Sequence, residues 1–559
     1  MNFPLDRRNR DRSLAIIGAS CGLAAAMTFG AVAFFGGPVG NSPIGRSPGD
    51  GVVAPSGRAA SSNPLIAGTW SDTIEVALNR TDGGTGSARG HGGIPLKPGV
   101  LAIGADSIVT LYCGEVEQTR FAETRGIHPD SSALSVFIES IQTVGATPVN
   151  CQVRIGVIAT ATTTVMADSM WADSMKFAIA PTDPLYMIST NFPRKGLARS
   201  AANRANDSLY HDTTAYFFAS VADSSPVVGI KNPFSDNGVQ FYERIQSLFG
   251  TFTRTGDFAF YDMALDYCNH LVIAGYFATR SLTATQAVST VPKDMNSSDL
   301  AACYIFTGDP RAKLTQEQLT YETEQVYGPS DYATGGQYAD LPSDSLEKEW
   351  EGRIIAKGLE NVVWAHVLGQ VDTAAYESGI SWFAQAQHYV KLIDSVQAAT
   401  GEMRYQVGGG ALQAGQSNFH EAMRMSAVGD FYDWLPLTAT DSTAAQNYIQ
   451  GEIEFLWRDG SNAQWVADST SFHYWSPTGD HDNAGSVPLN NAQELNLMFV
   501  DGLSLACRMF PDSSAYATIA DSVFSVGIPS AIWTNNLNGK IANQAMYRTL
   551  RYLTNRAGC

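Results

Sequence analysis

At 559 residues, 44% of them hydrophobic, the chain is long enough for two or more ordinary globular cores. A formal net charge of −18 excludes a general nucleic-acid binder, whose phosphate partner demands a basic face. The same acidity disfavours polyanionic ligands except where arginines cluster, and otherwise reads as a solvated surface.

The first segment carries Arg7, Arg8, Arg10 and Arg12 against Asp6 and Asp11, and Leu14–Phe35 then runs 22 residues without a charge. That length spans a bilayer, and the arginines belong on the cytoplasmic side. No small-residue cleavage site follows at once. Residues 1–36 are therefore read as a cytoplasmic stub and signal anchor, with a removed signal peptide as the alternative. Residues 37–66, rich in Gly, Pro and Ser, read as a flexible linker. Outside the apolar run there are six cysteines, an even number that suits an oxidising compartment. The preferred pairing joins sequence neighbours: Cys113 with Cys151, Cys268 with Cys303, and Cys507 with Cys559.

From residue 67 to 235 the pattern predicts a β-sandwich-like domain. Asp82–Gly93 reads as a glycine-rich loop. Strands are expected at Ile108–Cys113, Ser135–Ile141, Gln152–Thr163, Phe177–Ile179, Leu185–Ile188, Tyr216–Val221 and Val227–Ile230. After Gly238 apolar residues recur at three- and four-residue spacing. Helices are expected at Phe241–Phe249, Phe258–Phe277, Trp350–Leu368, Trp382–Val396, Ala444–Trp457, Ala492–Met509, Ser514–Val523 and Ile541–Leu553. Further helices fit Leu300–Ile305, Thr315–Tyr327 and His420–Leu435.

One phrase recurs through this half: Thr255-Gly256-Asp257, Thr307-Gly308-Asp309-Pro310-Arg311, Thr400-Gly401-Glu402-Met403-Arg404 and, more loosely, Pro511-Asp512-Ser513. Its glycine suits the left-handed end of one helix, and the acid after it suits the start of the next. The first two glycines lie 52 residues apart and the next two 93, near one and two helical-hairpin lengths. Such hairpins must stack or close to bury their apolar faces.

A β-sandwich followed by helical hairpins with these phrases resembles the α/α-toroid carbohydrate-active enzymes, among them polysaccharide lyases and glycoside hydrolases. The residues that carry the likeness are Arg254-Thr255-Gly256-Asp257-Phe258 with Tyr261 and Asp262, and Phe306-Thr307-Gly308-Asp309-Pro310-Arg311. The resemblance implies mixed α and β domains, with residues 236–559 forming an α/α-toroid, and a glycan-processing activity in its cleft. It transfers no catalytic residue.

Two segments hold the candidate chemistry. Phe472-His473-Tyr474-Trp475-Ser476-Pro477-Thr478-Gly479-Asp480-His481-Asp482-Asn483 joins histidines, aromatics and carboxylates in one loop, where Trp475 suits stacking on a sugar ring. Asn418-Phe419-His420-Glu421, with Arg424 and then Asp430, Tyr432, Asp433 and Trp434, falls on a predicted helix. His420, Arg424 and a carboxylate are expected at the toroid mouth, with Tyr432 and Trp434 as substrate contacts. Tyr261, Asp262, Asp266, Asn269 and His270 spread over two faces and read as structural. A lyase would take its base from His420, His473, His481 or Tyr474 and charge stabilisation from Arg424. A hydrolase would draw two carboxylates from Glu421, Asp430, Asp433, Asp480 and Asp482, about 6.5–9.5 Å apart for inversion or about 5 Å for retention.

No cofactor is expected. Asp480-His481-Asp482-Asn483 offers oxygen ligands to a divalent cation such as calcium, without the spacing of a calcium loop. The expected function is a membrane-anchored extracytoplasmic glycan-processing enzyme, partnered by a polysaccharide or oligosaccharide and by the membrane through residues 14–35. The alternative is a non-catalytic surface or envelope protein that binds glycan or scaffolds a larger assembly.

Overall fold

The computed structural model describes residues 72–81, 83–163, 177–193, 243–268, 297–327, 351–370, 381–397, 404–406, 412–414, 418–457, 465–466, 471–472, 495–510, 514–533 and 548–555. All of them belong to one compact unit, Ser62–Cys559. They are mixed α and β. No helix among them is long and apolar enough to cross a membrane, and Leu14–Phe35 lies outside them.

Eight strands form one sheet: β1 Asp72–Arg80, β2 Gly86–Pro95, β3 Val109–Cys113, β4 Val116–Gln118, β5 Arg120–Ile127, β6 Ala133–Val144, β7 Val149–Ile155 and β8 Phe177–Pro181. Their order is β4-β3-β7-β1-β8-β2-β6-β5. Neighbours are antiparallel except β2 and β8. The sheet curls until β5 meets β3. There the buried Arg120 donates from Nε to the Val109 carbonyl at 2.7 Å and from Nη2 to that of Asp106 at 3.0 Å. β7 alternates buried and half-exposed residues, as a strand with one wet face does. β6 is buried from Ala133 to Ser140 without alternation, because the curl covers one face and a helix covers the other. Cys113 and Cys151 are bonded across β3 and β7, as the pairing expected.

Two sequence readings need correction. The expected glycine-rich loop Asp82–Gly93 is not a loop throughout: Gly86–Pro95 is a strand inside the sheet, its glycines admitting other backbones. Leu185–Ile188 is not a strand but part of the short helix α1, Pro184–Ser189. Asp183 accepts from Leu185 N and Pro184 presets the first turn. The expected strands Tyr216–Val221 and Val227–Ile230 lie outside the described residues.

The remaining helices are α2 Arg244–Thr255, α3 258–268, α4 Ser297–Thr307, α5 Pro310–Tyr327, α6 Glu351–Val367, α7 Trp382–Val396, α8 Asn418–Trp434, α9 Ala439–Leu456, α10 Asn496–Met509, α11 Ser514–Trp533 and α12 548–555. The recurring phrase does what its residues predict at two places. Gly256 and Gly308 take φ +71° and +75°, ending α2 and α4. Asp257 and Asp309 then accept from the N–H groups two residues on, at 3.0 and 2.9 Å, starting α3 and α5. The third copy departs: Thr400–Met403 lies outside the described residues, and Arg404 opens a strand, Arg404–Gln406, paired with Leu412–Ala414. Pro511–Ser513 also lies outside them.

The even-numbered helices from α2 onward touch one another in succession: α2 with α4, α4 with α6, α6 with α8, and α8 with α10. α12 then bonds to α10 through Asn555 and Ser504, and back to the start of α2 through Arg548 and Glu243. These contacts make a closed cycle. The odd-numbered helices pack outside it, α5 between α4 and α6, α9 against α8 and α10, and α11 against α10. α4 is buried along its whole length and α10 at every residue but Arg508, as inner helices must be. α3 is braced to α4 by the Cys268–Cys303 disulfide, again the expected pair. Cys507 on α10 is disulfide-bonded to a residue outside the described ones.

Candidate functional site

The two ends of the inner helices differ in chemistry. At the C-terminal ends, aromatic rings pack towards the sheet. Phe306 on α4, Trp364 on α6 and Trp434 on α8 gather round Phe192, at ring separations of 5.4, 6.0 and 6.0 Å. Trp434 also stacks on His128, in the turn between β5 and β6. Arg125 of β5 lies over the Phe137 and Tyr304 rings and donates to the Gly308 carbonyl at the end of α4.

Further buried polar groups gather at the starts of α2, α4 and α8 and in the middle of α6. Glu243, just before α2, accepts from Lys357 Nζ at 2.7 Å and from Arg548 Nη2 at 3.3 Å. Lys357 also reaches Glu360, at 2.8 Å. Burial works against the Lys357 charge, but the Glu243 and Glu360 carboxylates outweigh it and hold the ammonium well above the ordinary lysine range. On α4, Asp299 accepts from the N–H groups of Ile245 and Gln246 at 3.3 and 2.9 Å. Burial pushes its carboxyl up to about 7, against the pull of those amides. On α8, Glu421 accepts from Arg424 at 2.7 Å and from the Tyr448 hydroxyl of α9 at 3.2 Å. Burial still raises its proton affinity, though Arg424 and Tyr448 oppose the shift. Glu452 lies buried near Tyr448 and, with Glu421, pushes the phenol up after burial itself.

The sequence-predicted residues separate into three places. His420, Glu421 and Arg424 share the first turns of α8 and are buried. Asp430, Tyr432, Asp433 and Trp434 sit at the other end of that helix, ~15–20 Å along its axis from His420. They do not join the first group. Asp430 and Asp433 both pair with the fully buried Arg551, which also meets Asp501 at 3.0 Å, and Asp433 binds Arg508 at 2.6 Å. Arg508 lies 5.9 Å over the half-buried Tyr432 ring, and Trp434 is core. His473, Tyr474, Trp475, Asp480 and His481 lie outside the described residues, as does the candidate cation segment 480–483. The residues just before them are anchored by rings: Trp465 packs on Trp457 and Phe472 at 5.0 Å each, and Phe472 on Phe499 at 4.2 Å. Of the group read as structural, Tyr261 is buried and donates to the Phe306 carbonyl, and burial lifts the half-buried Asp262 to about 6.

Sequence reasoning missed Glu243, Asp299, Lys357, Tyr448 and Arg548. Lys357 left a trace: it interrupts the apolar run Ile354-Ile355-Ala356 of a helix otherwise read as core. A charge on a buried face needs a partner. Nothing local marks the other four. Comparison of the chain with protein-family models, with curated proteins and with solved structures finds no match.

Proposed function

We propose that the chain is an exported glycan-processing enzyme, a polysaccharide lyase or glycoside hydrolase, working at the N-terminal mouth of its inner helices. The observation that supports this most is the closed cycle of helices, with His420, Glu421 and Arg424 buried near the start of α8 and Tyr448 of α9 bonded to Glu421. In this reading the cycle is an α/α-toroid and the curled sheet is its β-sandwich-like companion. Leu14–Phe35 anchors the protein, and its bulk stands outside the membrane, where disulfides persist. Glu421, buried and proton-retaining, suits the acid of a hydrolase, and His420 beside it suits the base of a lyase.

A second reading, a non-catalytic surface or envelope scaffold, is favoured by the ion pairs that occupy Glu421, Asp430 and Asp433. Incubating the full-length chain with neutral and uronic polysaccharides separates the two. Glycan processing yields either unsaturated, ultraviolet-absorbing ends or new reducing ends, and Glu421→Gln lowers that rate at least ~100-fold. No product across the panel selects the scaffold.

A further inference from the structure

The start of α2 is capped from another helix. Its own N-cap residue, Glu243, makes no side-chain cap bond, because its carboxylate is turned to Lys357 and Arg548. The N–H groups of Ile245 and Gln246 are taken instead by the two oxygens of Asp299 on α4. A second tie runs beside it, from the Gln246 side-chain amide to the Ser298 carbonyl at 2.5 Å. Asp299 is 3% exposed. The charged groups acting on it are Glu243 ahead of α2 and Lys357 on α6; Glu243 in turn meets Arg548 on α12, and Lys357 meets Glu360. Both cations are held by Glu243, and Lys357 also by Glu360. The charge of Asp299 is therefore supported by two amides, by the positive end of α2 and at a distance by Lys357, but it is buried and faces the Glu243 carboxylate.

We propose that the Asp299 carboxyl is a proton-operated latch that fastens α4 to the start of α2. Protonated, it keeps an acceptor for the amides and removes the repulsion from Glu243. Ionised, it is a buried anion with no ion-pair partner of its own among the described residues, and the cheapest relief is for the two helix starts to part. The direction follows from the burial of Asp299 and the carboxylate of Glu243 beside it, which together outweigh the amides and Lys357. The latch is fully made below the unfolded value of 3.8, weakens as pH rises, and is released once pH passes about 7. It lies beside the polar mouth but does not depend on what reaction, if any, occurs there.

Hydrogen exchange of the full-length chain, read on peptides covering residues 244–250 and corrected for intrinsic rates, tests this. In the wild type, protection of the α2 start should fall by up to about tenfold per pH unit between about pH 4 and about pH 7, then level off. Asp299→Asn keeps a carbonyl acceptor and should give protection independent of pH. Asp299→Ala should lose protection at every pH. Wild-type protection that is flat across the window, or a slope that survives in Asp299→Asn, overturns the proposal. Should neither variant fold, the wild-type profile alone decides.

Discussion

A single hydrogen atom in place of a side chain decides how the sheet and helices meet. A Cβ on Gly93 would stand 1.6 Å from the Ile305 carbonyl oxygen, in the backbone of α4. That helix cannot yield cheaply, since it is buried along its whole length. Gly93→Ala should therefore cost at least ~3 kcal/mol or prevent folding, measured by urea denaturation. Gly104→Ala is the control. Its φ is +79° but none of the described residues lies within 4 Å of where its Cβ would stand, so only the backbone penalty of about 1–2 kcal/mol applies. Equal losses at the two positions would contradict the packing argument. Glycine in a sequence signals turns, whereas here the reason for Gly93 sits on a distant helix.

Among elements, the helix α3 is tied to the cycle chiefly by its aromatic face and by one covalent bond. Phe258 and Tyr261 pack on Phe252 at 5.5 and 4.9 Å, and Cys268 is bonded to Cys303 across a separation of 35 residues. Closing a loop of that length removes denatured-state entropy worth about 4 kcal/mol. Replacing both cysteines by alanine should lower stability by about that amount, read as a shift in the denaturation midpoint at unchanged slope. A change below ~1 kcal/mol would mean that α3 is held by its rings alone. Elements of this kind were largely legible. Trp382–Val396 was expected and found with identical ends, its start set by Ser381 accepting from Ala384 N. Helix periodicity, caps and neighbouring cysteines act over a few residues, so the local string contains them.

For the whole molecule, stability against pH is governed by buried groups that pull in opposite directions. His91 lies in the sheet, where burial first and then Arg125, Arg89 and Arg311 push it down to about 3. It stays neutral in the native state, so its stabilising effect is present above 6.5 and is lost as pH falls towards 3, by about 1.4 kcal/mol per unit. Asp299 contributes the reverse slope between 3.8 and about 7. The two oppose each other from about pH 4 to 6.5. Asp299→Asn should tilt the profile towards the His91 slope, so that the denaturation midpoint gains on that of the wild type as pH rises across that window, while the half-buried Asp262 still opposes His91 up to about pH 6. His91→Gln should leave the Asp299 slope, with the midpoint falling. Unchanged profiles in both variants would show that other groups govern the balance.

The candidate site divides along the same line. His420, Glu421 and Arg424 were recognisable because they crowd one helical turn. Their placement on a single α8 with Asp430, Asp433 and Trp434 suggested one site, yet the helix length holds the two sets at opposite ends. Glu243, Asp299, Lys357 and Arg548 come from four separate segments and carry no common motif. By itself the chain's order of residues determined where most of the helices of its second half lie, that Cys113 bonds to Cys151 and Cys268 to Cys303, and that the hairpins must bury their faces against one another. Only the tertiary structure decided which helices touch one another and which buried charges meet between them. Local conformation is set by neighbours a few bonds away, whereas a buried charge is placed by whichever remote partner packing brings within reach.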